Sequence, residues 1–142
     1  MQTDGQHLVA DFWGCRLPAD EEGWRRVIRS AIEAMGVTLL NLEVHMFEPQ
    51  GMTAVAILAE SHLAVHTWPE RDYVAIDVFT CGATVRPEAG IDLLRSELEP
   101  GRERILHIPR GDVVNEPVRE HLTLDSPVSN SQATHGEEPA CR

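Results

Sequence analysis

The sequence predicts an α+β fold, a two-layer α/β sandwich in which a mainly antiparallel sheet carries helices on one face. Two segments repeat apolar residues at helical spacing, and each has one apolar stripe that must pack on another layer. Short segments rich in β-forming residues surround them and give the order β-α-β-β-(β)-β-α-β. A chain of 142 residues is long enough for one ordinary core of this kind.

The first part of the chain supplies a strand and the clearest helix. Residues 7–13 alternate in part and stop near Gly14, which is typical of a strand. A helix follows, with Asp20 as its N-cap and Gly36 as its C-terminal cap. Its apolar stripe contains Trp24, Val27, Ile28, Ala31, Ile32 and Met35.

The middle of the chain predicts strands joined by turns. Residues 37–46 place Leu40, Leu42 and Val44 on one side of an alternating pattern, and residues 48–51 form a turn. The small-residue apolar run at 53–59 predicts a strand buried on both faces.

Three more strands and a helix complete the predicted domain. Residues 62–67 alternate strictly before Pro69 interrupts them, and residues 73–79 form the next strand. A helix begins near Pro87 with an apolar stripe of its own, and residues 104–108 suit a last strand. That stripe contains Ile91, Leu94 and Leu98.

The domain organisation changes near residue 115. Residues 1–114 are expected to form a single domain, whereas residues 115–142 form a polar, acidic tail dominated by Ser, Thr, Asn, Glu and Pro. Such a tail buries too little apolar surface to offset its ordering entropy, so we expect it to be disordered. The sheet face away from the helices has no evident cover, which favours a dimer.

Composition excludes several classes of function. The chain has 12 basic residues, all arginine, against 23 acidic ones, and this net charge of −11 argues against nucleic-acid binding. No apolar run approaches the roughly 20 residues that span a bilayer, and no signal peptide is evident, so a cytoplasmic location is expected. Without lysine, the chain has neither a pyridoxal Schiff base nor a Walker-type phosphate loop.

Cysteine and histidine spacing does not predict a metal site. The three cysteines, Cys15, Cys81 and Cys141, are odd in number and widely spaced, so neither a disulfide framework nor a zinc site is indicated. His62 and His66 have the i, i+4 spacing of zinc ligands on a helix, but here they lie in a strand pattern. Four residues of strand separate them by about 13 Å, too far for one ion.

Ser61 is the candidate nucleophile. It lies outside the Gly-x-Ser-x-Gly elbow of hydrolases, and no acidic partner for a histidine is marked out, although Ser61 and His66 could meet across a turn. Self-cleavage is the alternative: the hydroxyl attacks the carbonyl of Glu60, and elimination and hydrolysis then leave a pyruvoyl group. This chemistry needs a base and an oxyanion donor, for which His66 and Thr53 are the candidates.

Three motifs resemble the bacterial and archaeal class of S-adenosylmethionine decarboxylase. They are Glu60-Ser61-His62, the His-Thr-Trp-Pro-Glu block at 66–70 and Thr80-Cys81-Gly82, and the resemblance runs from about His7 through Phe47-x-Pro49-x-Gly51 to about Arg110. The resemblance implies an α/β sandwich that dimerises through its sheet, in agreement with the predicted elements.

The resemblance also implies a covalent cofactor. Cleavage between Glu60 and Ser61 would give a β chain of 1–60 and an α chain of 61–142, with Ser61 converted to the pyruvoyl group that forms a Schiff base with the substrate. His66 would be the proton acceptor of this processing, with support from Thr53. Cys81 would be the proton donor of the decarboxylation.

The implied substrate is S-adenosylmethionine, bound through Phe47 and Trp68 on the adenine and Glu70 on the ribose hydroxyls. Its decarboxylation would supply aminopropyl groups for spermidine and polyamine synthesis, and the enzyme would be a homodimer of αβ units with no metal. Two alternatives stay open: a pyruvoyl-dependent ornithine or arginine decarboxylase of the same family, and an unprocessed, non-catalytic binding protein. His62 is expected to be structural.

Overall fold

The computed structural model describes residues 5–111, and its elements follow the predicted order. They are β1 Gly5–Trp13, α1 Glu21–Met35, β2 Leu39–Met46, β3 Met52–Leu58, β4 Ser61–Trp68, β5 Tyr73–Thr80, α2 Pro87–Leu98 and β6 Arg102–Arg110. A single 3-10 turn, Pro69–Arg71, joins β4 to β5. The predicted fold class is confirmed. The predicted domain end at residue 114 and the tail at 115–142 lie outside the described residues.

The six strands form one sheet in the order β2-β3-β4-β5-β1-β6, and every neighbouring pair is antiparallel. The first strand of the chain therefore lies between β5 and β6, and both of these neighbours belong to the second half of the chain. Within residues 5–111, neither helix is long and apolar enough to cross a membrane.

Helix α1 forms where its caps and apolar stripe predict it. The Asp20 carboxylate accepts the Gly23 N–H at 2.8 Å, and Gly36 ends the helix in the left-handed region at φ +71°. All six residues of the predicted stripe are at most 3% exposed. Helix α2 packs closely against α1 at Gly90, where a Cβ would lie 2.5 Å from the Met35 side chain.

Both helices cover the same face of the sheet, and the other face is not covered within one chain; we call it the open face. On β4, Leu63, Val65 and Thr67 point to the helices and are 1% exposed. The alternate side chains of β4 are only partly buried on the open face. They are His62, Ala64, His66 and Trp68. The core thus lies between helices and sheet, and any site must use the open face or the sheet ends.

Two details of the predicted strands are wrong. Strand β3 is buried on one face only: Val55 and Ile57 are 38% and 50% exposed, because the helices cover just one side of the sheet. Leu40 is 63% exposed and does not share the buried side with Leu42 and Val44. The cause is an irregularity in the pairing of β2 with β3 next to Leu40, which changes the alternation there.

Candidate active site

Cross-strand pairing arranges the open-face side chains in rows. One row joins His62, Phe79 and His7, near the start of β4. A row at the far end of β4 joins Trp68, Tyr73 and Trp13. We call the first region, with Glu60, Ser61, His62 and Cys81, the serine end, and the second region, with Trp68, Tyr73 and Trp13, the aromatic end.

Ser61 has a strained backbone. It follows the tight turn at Ala59 and Glu60 that joins β3 to β4, and its φ is +139°. Residues other than glycine rarely adopt a positive φ of this size, and such a backbone conformation costs about 1–3 kcal/mol of stability. Adjacent strand residues normally point to opposite faces, yet the Ser61 hydroxyl lies 3.3 Å from Nδ1 of His62. The unusual φ accounts for that contact.

The carbonyl before Ser61 receives two donors from one residue. The Cys81 N–H donates to the Glu60 carbonyl oxygen at 3.1 Å, and the Cys81 thiol lies 3.4 Å from the same oxygen. The Glu60 carboxylate accepts the Thr38 N–H at 3.0 Å, which fixes the turn to the segment before β2. Two donors aimed at one carbonyl polarise it and are suited to stabilising negative charge on its oxygen.

A hydrogen-bonded chain continues from Ser61 across the sheet. Nε2 of His62 lies 3.3 Å from the Asp77 carboxylate, and Nε2 of His7 lies 2.7 Å from the same oxygen. The Arg110 guanidinium lies 2.8 Å from Nδ1 of His7. Sequence analysis identified no acidic partner for a histidine and predicted a structural role for His62. The signal that was available is Asp77 itself, a carboxylate inside an apolar strand, where aspartate is depleted.

The aromatic end is a stack of three rings. The Trp68 and Tyr73 centroids lie 5.0 Å apart, and those of Tyr73 and Trp13 lie 5.6 Å apart, with interplanar angles of 28° and 20°. The Tyr73 hydroxyl donates to the Asp11 carboxylate. Burial and then the Asp11 contact raise the pKa of Tyr73, so the phenol stays neutral.

Glu70 and Phe47 lie beyond this end of the sheet. The Gln50 amide donates to the carboxylate of Glu70, the predicted ribose ligand, at 3.3 Å and so orients it. Phe47 follows β2 and, with Gln50 and Pro69, lines a cavity of about 320 Å³. Glu70 is thereby linked to the cavity that Phe47 lines. Trp68 lies on the open face, whereas this cavity is also lined by Trp24 of α1, so the structure does not place Trp68 in the same cavity as Phe47.

Thr53 and His66 form the predicted pair, but not beside Ser61. The Thr53 hydroxyl lies 3.0 Å from Nδ1 of His66, across the β3–β4 pair. His66 is five residues along β4 from Ser61, a distance of about 16 Å in an extended strand. Within one chain the two residues do not meet across a turn, because a single strand carries both.

The described residues, 5–111, contain no group of three or more His, Cys, Asp or Glu side chains that could hold a metal ion. They contain two cysteines, and both are free thiols: Cys81 is exposed and Cys15 is buried. Burial, with a contribution from Asp72, raises the pKa of Cys15 to about 11. Cys81 is therefore the thiol at the serine end that is open to chemistry, and Cys15 belongs to the core.

Fold and site together define a class of protein: a two-layer α+β domain whose polar and aromatic side chains line the uncovered face of an antiparallel sheet. Within that class, the chain belongs to the S-adenosylmethionine decarboxylase family, because the family's model matches residues 6–111. The predictions of family and of an enzyme are thereby confirmed.

Similar proteins come from archaea and bacteria. The S-adenosylmethionine decarboxylase proenzyme of Methanococcus vannielii is 44% identical over 115 residues, which cover 80% of this chain and 94% of the relative. That of Thermomicrobium roseum is 41% identical over 116 residues, covering 81% and 100%. The crystal structure of the adenosylmethionine decarboxylase from Aquifex aeolicus VF5 has a TM-score of 0.71 and 30% identity, covering 84% of this chain and 100% of the other.

Proposed function

We propose that this chain cleaves itself between Glu60 and Ser61 and then decarboxylates S-adenosyl-L-methionine to S-adenosylmethioninamine and CO₂, the donor of aminopropyl groups for polyamines. The observation that carries the proposal is the environment of the scissile bond. The Glu60 carbonyl oxygen faces two donors of Cys81, and the adjacent Ser61 is held at a φ of +139°.

Both features favour attack of the serine on its own preceding carbonyl. The donors stabilise the oxyanion that develops on the Glu60 oxygen, and loss of the peptide bond releases the strain at Ser61. The products would be a β chain of 1–60 and an α chain that begins at position 61.

The surroundings of position 61 fit a pyruvoyl group. A pyruvoyl group derived from Ser61 supplies a ketone electrophile that withdraws electrons from the α-carbon of a bound amino acid. The Cys81 thiol lies 3.4 Å from the carbonyl that precedes this position, so its proton is available beside the reacting carbon. Cys81 would deliver that proton from Sγ to the substrate α-carbon after CO₂ leaves, which is the proposed role of a proton donor.

The aromatic end, together with Phe47 and Glu70 beyond it, supports a nucleoside-bearing substrate. Trp68 and Phe47 offer flat apolar faces for an adenine, and Glu70 offers a carboxylate for the ribose hydroxyls. Attraction between the substrate sulfonium and aromatic faces adds about 0.5–2 kcal/mol. A small basic amino acid has no base to stack, so this region favours S-adenosylmethionine over ornithine or arginine.

The separation of the two ends supports a homodimer. Ser61 and Trp68 begin and end β4, about 23 Å apart along the strand, so one substrate does not touch both in one chain. A two-fold axis between two facing sheets, perpendicular to the strands, brings the serine end of one chain over the aromatic end of the other. The partner's Thr53–His66 pair then approaches Ser61, and each dimer has two complete sites.

Mass spectrometry under denaturing conditions tests the processing. We expect two fragments, 1–60 and 61–142, the second blocked to Edman degradation. The Ser61→Ala chain should stay intact, whereas Ser30→Ala, which removes a partly exposed hydroxyl of α1, should be cut like the wild type. An intact wild-type chain after long incubation would contradict the proposal and support the binding-protein alternative.

Direct assay tests the substrate. Processed protein should release CO₂ from S-adenosylmethionine. Release from ornithine or arginine without turnover of S-adenosylmethionine would instead support the amino-acid decarboxylase.

A further inference from the structure

We propose that His62, oriented by Asp77, is a catalytic residue of the self-cleavage and takes the hydroxyl proton of Ser61 in the first step. This inference rests on the proposed cleavage between Glu60 and Ser61. His62 belongs to the same chain as the Ser61 that it contacts, whereas in the proposed dimer His66 approaches Ser61 from the partner. The imidazole of His62 lies 3.3 Å from the Ser61 hydroxyl, within hydrogen-bonding distance.

The hydrogen-bonded chain fixes which nitrogen of each histidine accepts. A guanidinium has only donors, so Nδ1 of His7 accepts from Arg110 at 2.8 Å and the proton of neutral His7 lies on Nε2. That proton points to the Asp77 carboxylate, 2.7 Å away. Arg110 thus orients His7, and His7 in turn orients the Asp77 carboxylate.

The same reasoning applies to His62. An ionised carboxylate only accepts, so Nε2 of neutral His62 donates to Asp77 at 3.3 Å. Nδ1 is then unprotonated and faces the Ser61 hydroxyl, as a general base requires. When His62 becomes an imidazolium, the Asp77 carboxylate stabilises the new charge. The arrangement repeats the logic of a serine–histidine–aspartate triad, with the nucleophile aimed at its own backbone.

The step balances without any co-reactant. The Ser61 hydroxyl proton moves to Nδ1 of His62 while the serine oxygen bonds to the Glu60 carbonyl carbon, and the Cys81 donors receive the oxyanion. Collapse of the tetrahedral intermediate breaks the bond from the Glu60 carbon to the Ser61 nitrogen. The leaving nitrogen takes the proton back from His62. The product is an ester isomer of the starting chain. Removal of the Ser61 α-proton is a separate, later step, for which the partner's His66 is the candidate acceptor.

Cleavage kinetics of full-length variants test the role of His62. In His62→Gln the amide still donates to Asp77 but offers no basic nitrogen, and we expect cleavage to slow by about 100-fold or more. In His62→Ala, free imidazole should restore part of the rate. His107→Ala is the matched control, because it removes an exposed histidine of β6 and should leave cleavage unchanged. Wild-type rates in His62→Gln would overturn the proposal.

Two further readouts separate this role from a structural one. Asp77→Asn should slow cleavage in the wild-type chain but add nothing in His62→Ala, because a positioning residue acts only through the histidine it orients. An equal loss in both backgrounds would make Asp77 merely structural. Stalled His62 variants should resist hydroxylamine, since the peptide bond is intact; splitting by hydroxylamine would show an accumulated ester and overturn the assignment to the first step.

Mixed dimers distinguish this inference from the proposed function. A His62→Ala chain should stay uncut when paired with a Ser61→Ala partner that has a native His62, because the contact is within one chain. Cleavage in that pairing would overturn the inference and leave the proposed function standing. Failure of the wild-type chain to cleave would overturn both.

Discussion

The serine end and the aromatic end of the open face are held in different ways. At the serine end, directional hydrogen bonds fix Glu60, Ser61 and His62, and the backbone is strained. At the aromatic end, three rings stack, one hydrogen bond ties Tyr73 to Asp11, and none of the three aromatic residues has a positive φ. Bond rearrangement needs atoms placed within fractions of an ångström, whereas stacking on a flat base tolerates sliding. These properties fit the proposed division, in which the serine end carries out the reaction and the aromatic end binds the substrate.

The largest expected effect tests whether the two ends of different chains combine. Ser61→Ala and His66→Ala chains should each stay uncut alone. When they are co-expressed with different tags, the His66→Ala chain should be cut in mixed dimers, up to about half of it under random pairing. The partner supplies the missing imidazole in these dimers. Mass spectrometry of each tagged chain measures the result, and no cutting in isolated mixed dimers would contradict the proposed dimer.

The next effect separates cleavage from decarboxylation within the serine end. Cys81→Ala keeps the backbone N–H that binds the Glu60 carbonyl, so the chain should still be cut, while decarboxylation should fall by about 10²- to 10⁴-fold. Cleavage is followed by mass spectrometry and turnover by release of CO₂.

Cys15→Ala is the control for this comparison. Its thiol is buried and has a pKa raised to about 11, so activity should persist. Undiminished turnover in Cys81→Ala would refute the role of Cys81 as proton donor.

A smaller effect is expected at the aromatic end. Trp68→Ala should be cut at the wild-type rate but bind S-adenosylmethionine more weakly, by about 1–3 kcal/mol, because a stacking surface is lost. Trp68→Phe keeps a ring and should recover much of the affinity. Binding to processed protein is measured by calorimetry. A cleavage defect as large as the binding defect would show that the two ends are not separate in function.

The smallest effect concerns the strain at Ser61. Neither Ser61→Gly nor Ser61→Ala can cleave, but glycine adopts φ +139° freely, so Ser61→Gly should be more stable by about 1 kcal/mol. Urea unfolding of the two intact chains measures the difference. Equal stability would show that the backbone at position 61 relaxes when the hydroxyl is absent.

Local sequence signals were sufficient for the helices and for most strands. Asp20 and Gly36 mark the two ends of α1, because helix capping depends on residues that are close in sequence. The apolar stripe of α1 is its buried face. Burial of β3 was mispredicted because a continuous apolar run does not tell whether one face of the sheet or both are covered. The position of Leu40 depends on an irregular strand pairing, which the spacing of apolar residues does not reveal.

The site was predictable in its residue types but not in its grouping. Motifs singled out Ser61, Cys81 and Trp68, yet their distances follow from strand register, which no local pattern fixes. The pairing of His62 with Asp77 depends on how β4 lies against β5, and the contact of Ser61 with His62 depends on one unusual φ. The contacts of His62 with Ser61 and Asp77 could therefore not be predicted from the residue types alone, although His62 directly follows the candidate nucleophile.

The position of β1 has a consequence for refolding. A cut before Ser61 leaves β1, α1, β2 and β3 in one fragment and β4, β5, α2 and β6 in the other. Because β1 lies between β5 and β6, the fragments share three strand ladders, β3–β4, β5–β1 and β1–β6. The strands of the two fragments alternate in part of the sheet, so neither fragment can form a complete sheet or core by itself. A single precursor chain contains all the strands of its sheet, whereas a cut subunit regains its sheet from denaturant only when two fragments meet. The yield of refolded subunits should therefore depend more strongly on concentration for the cut protein than for the precursor.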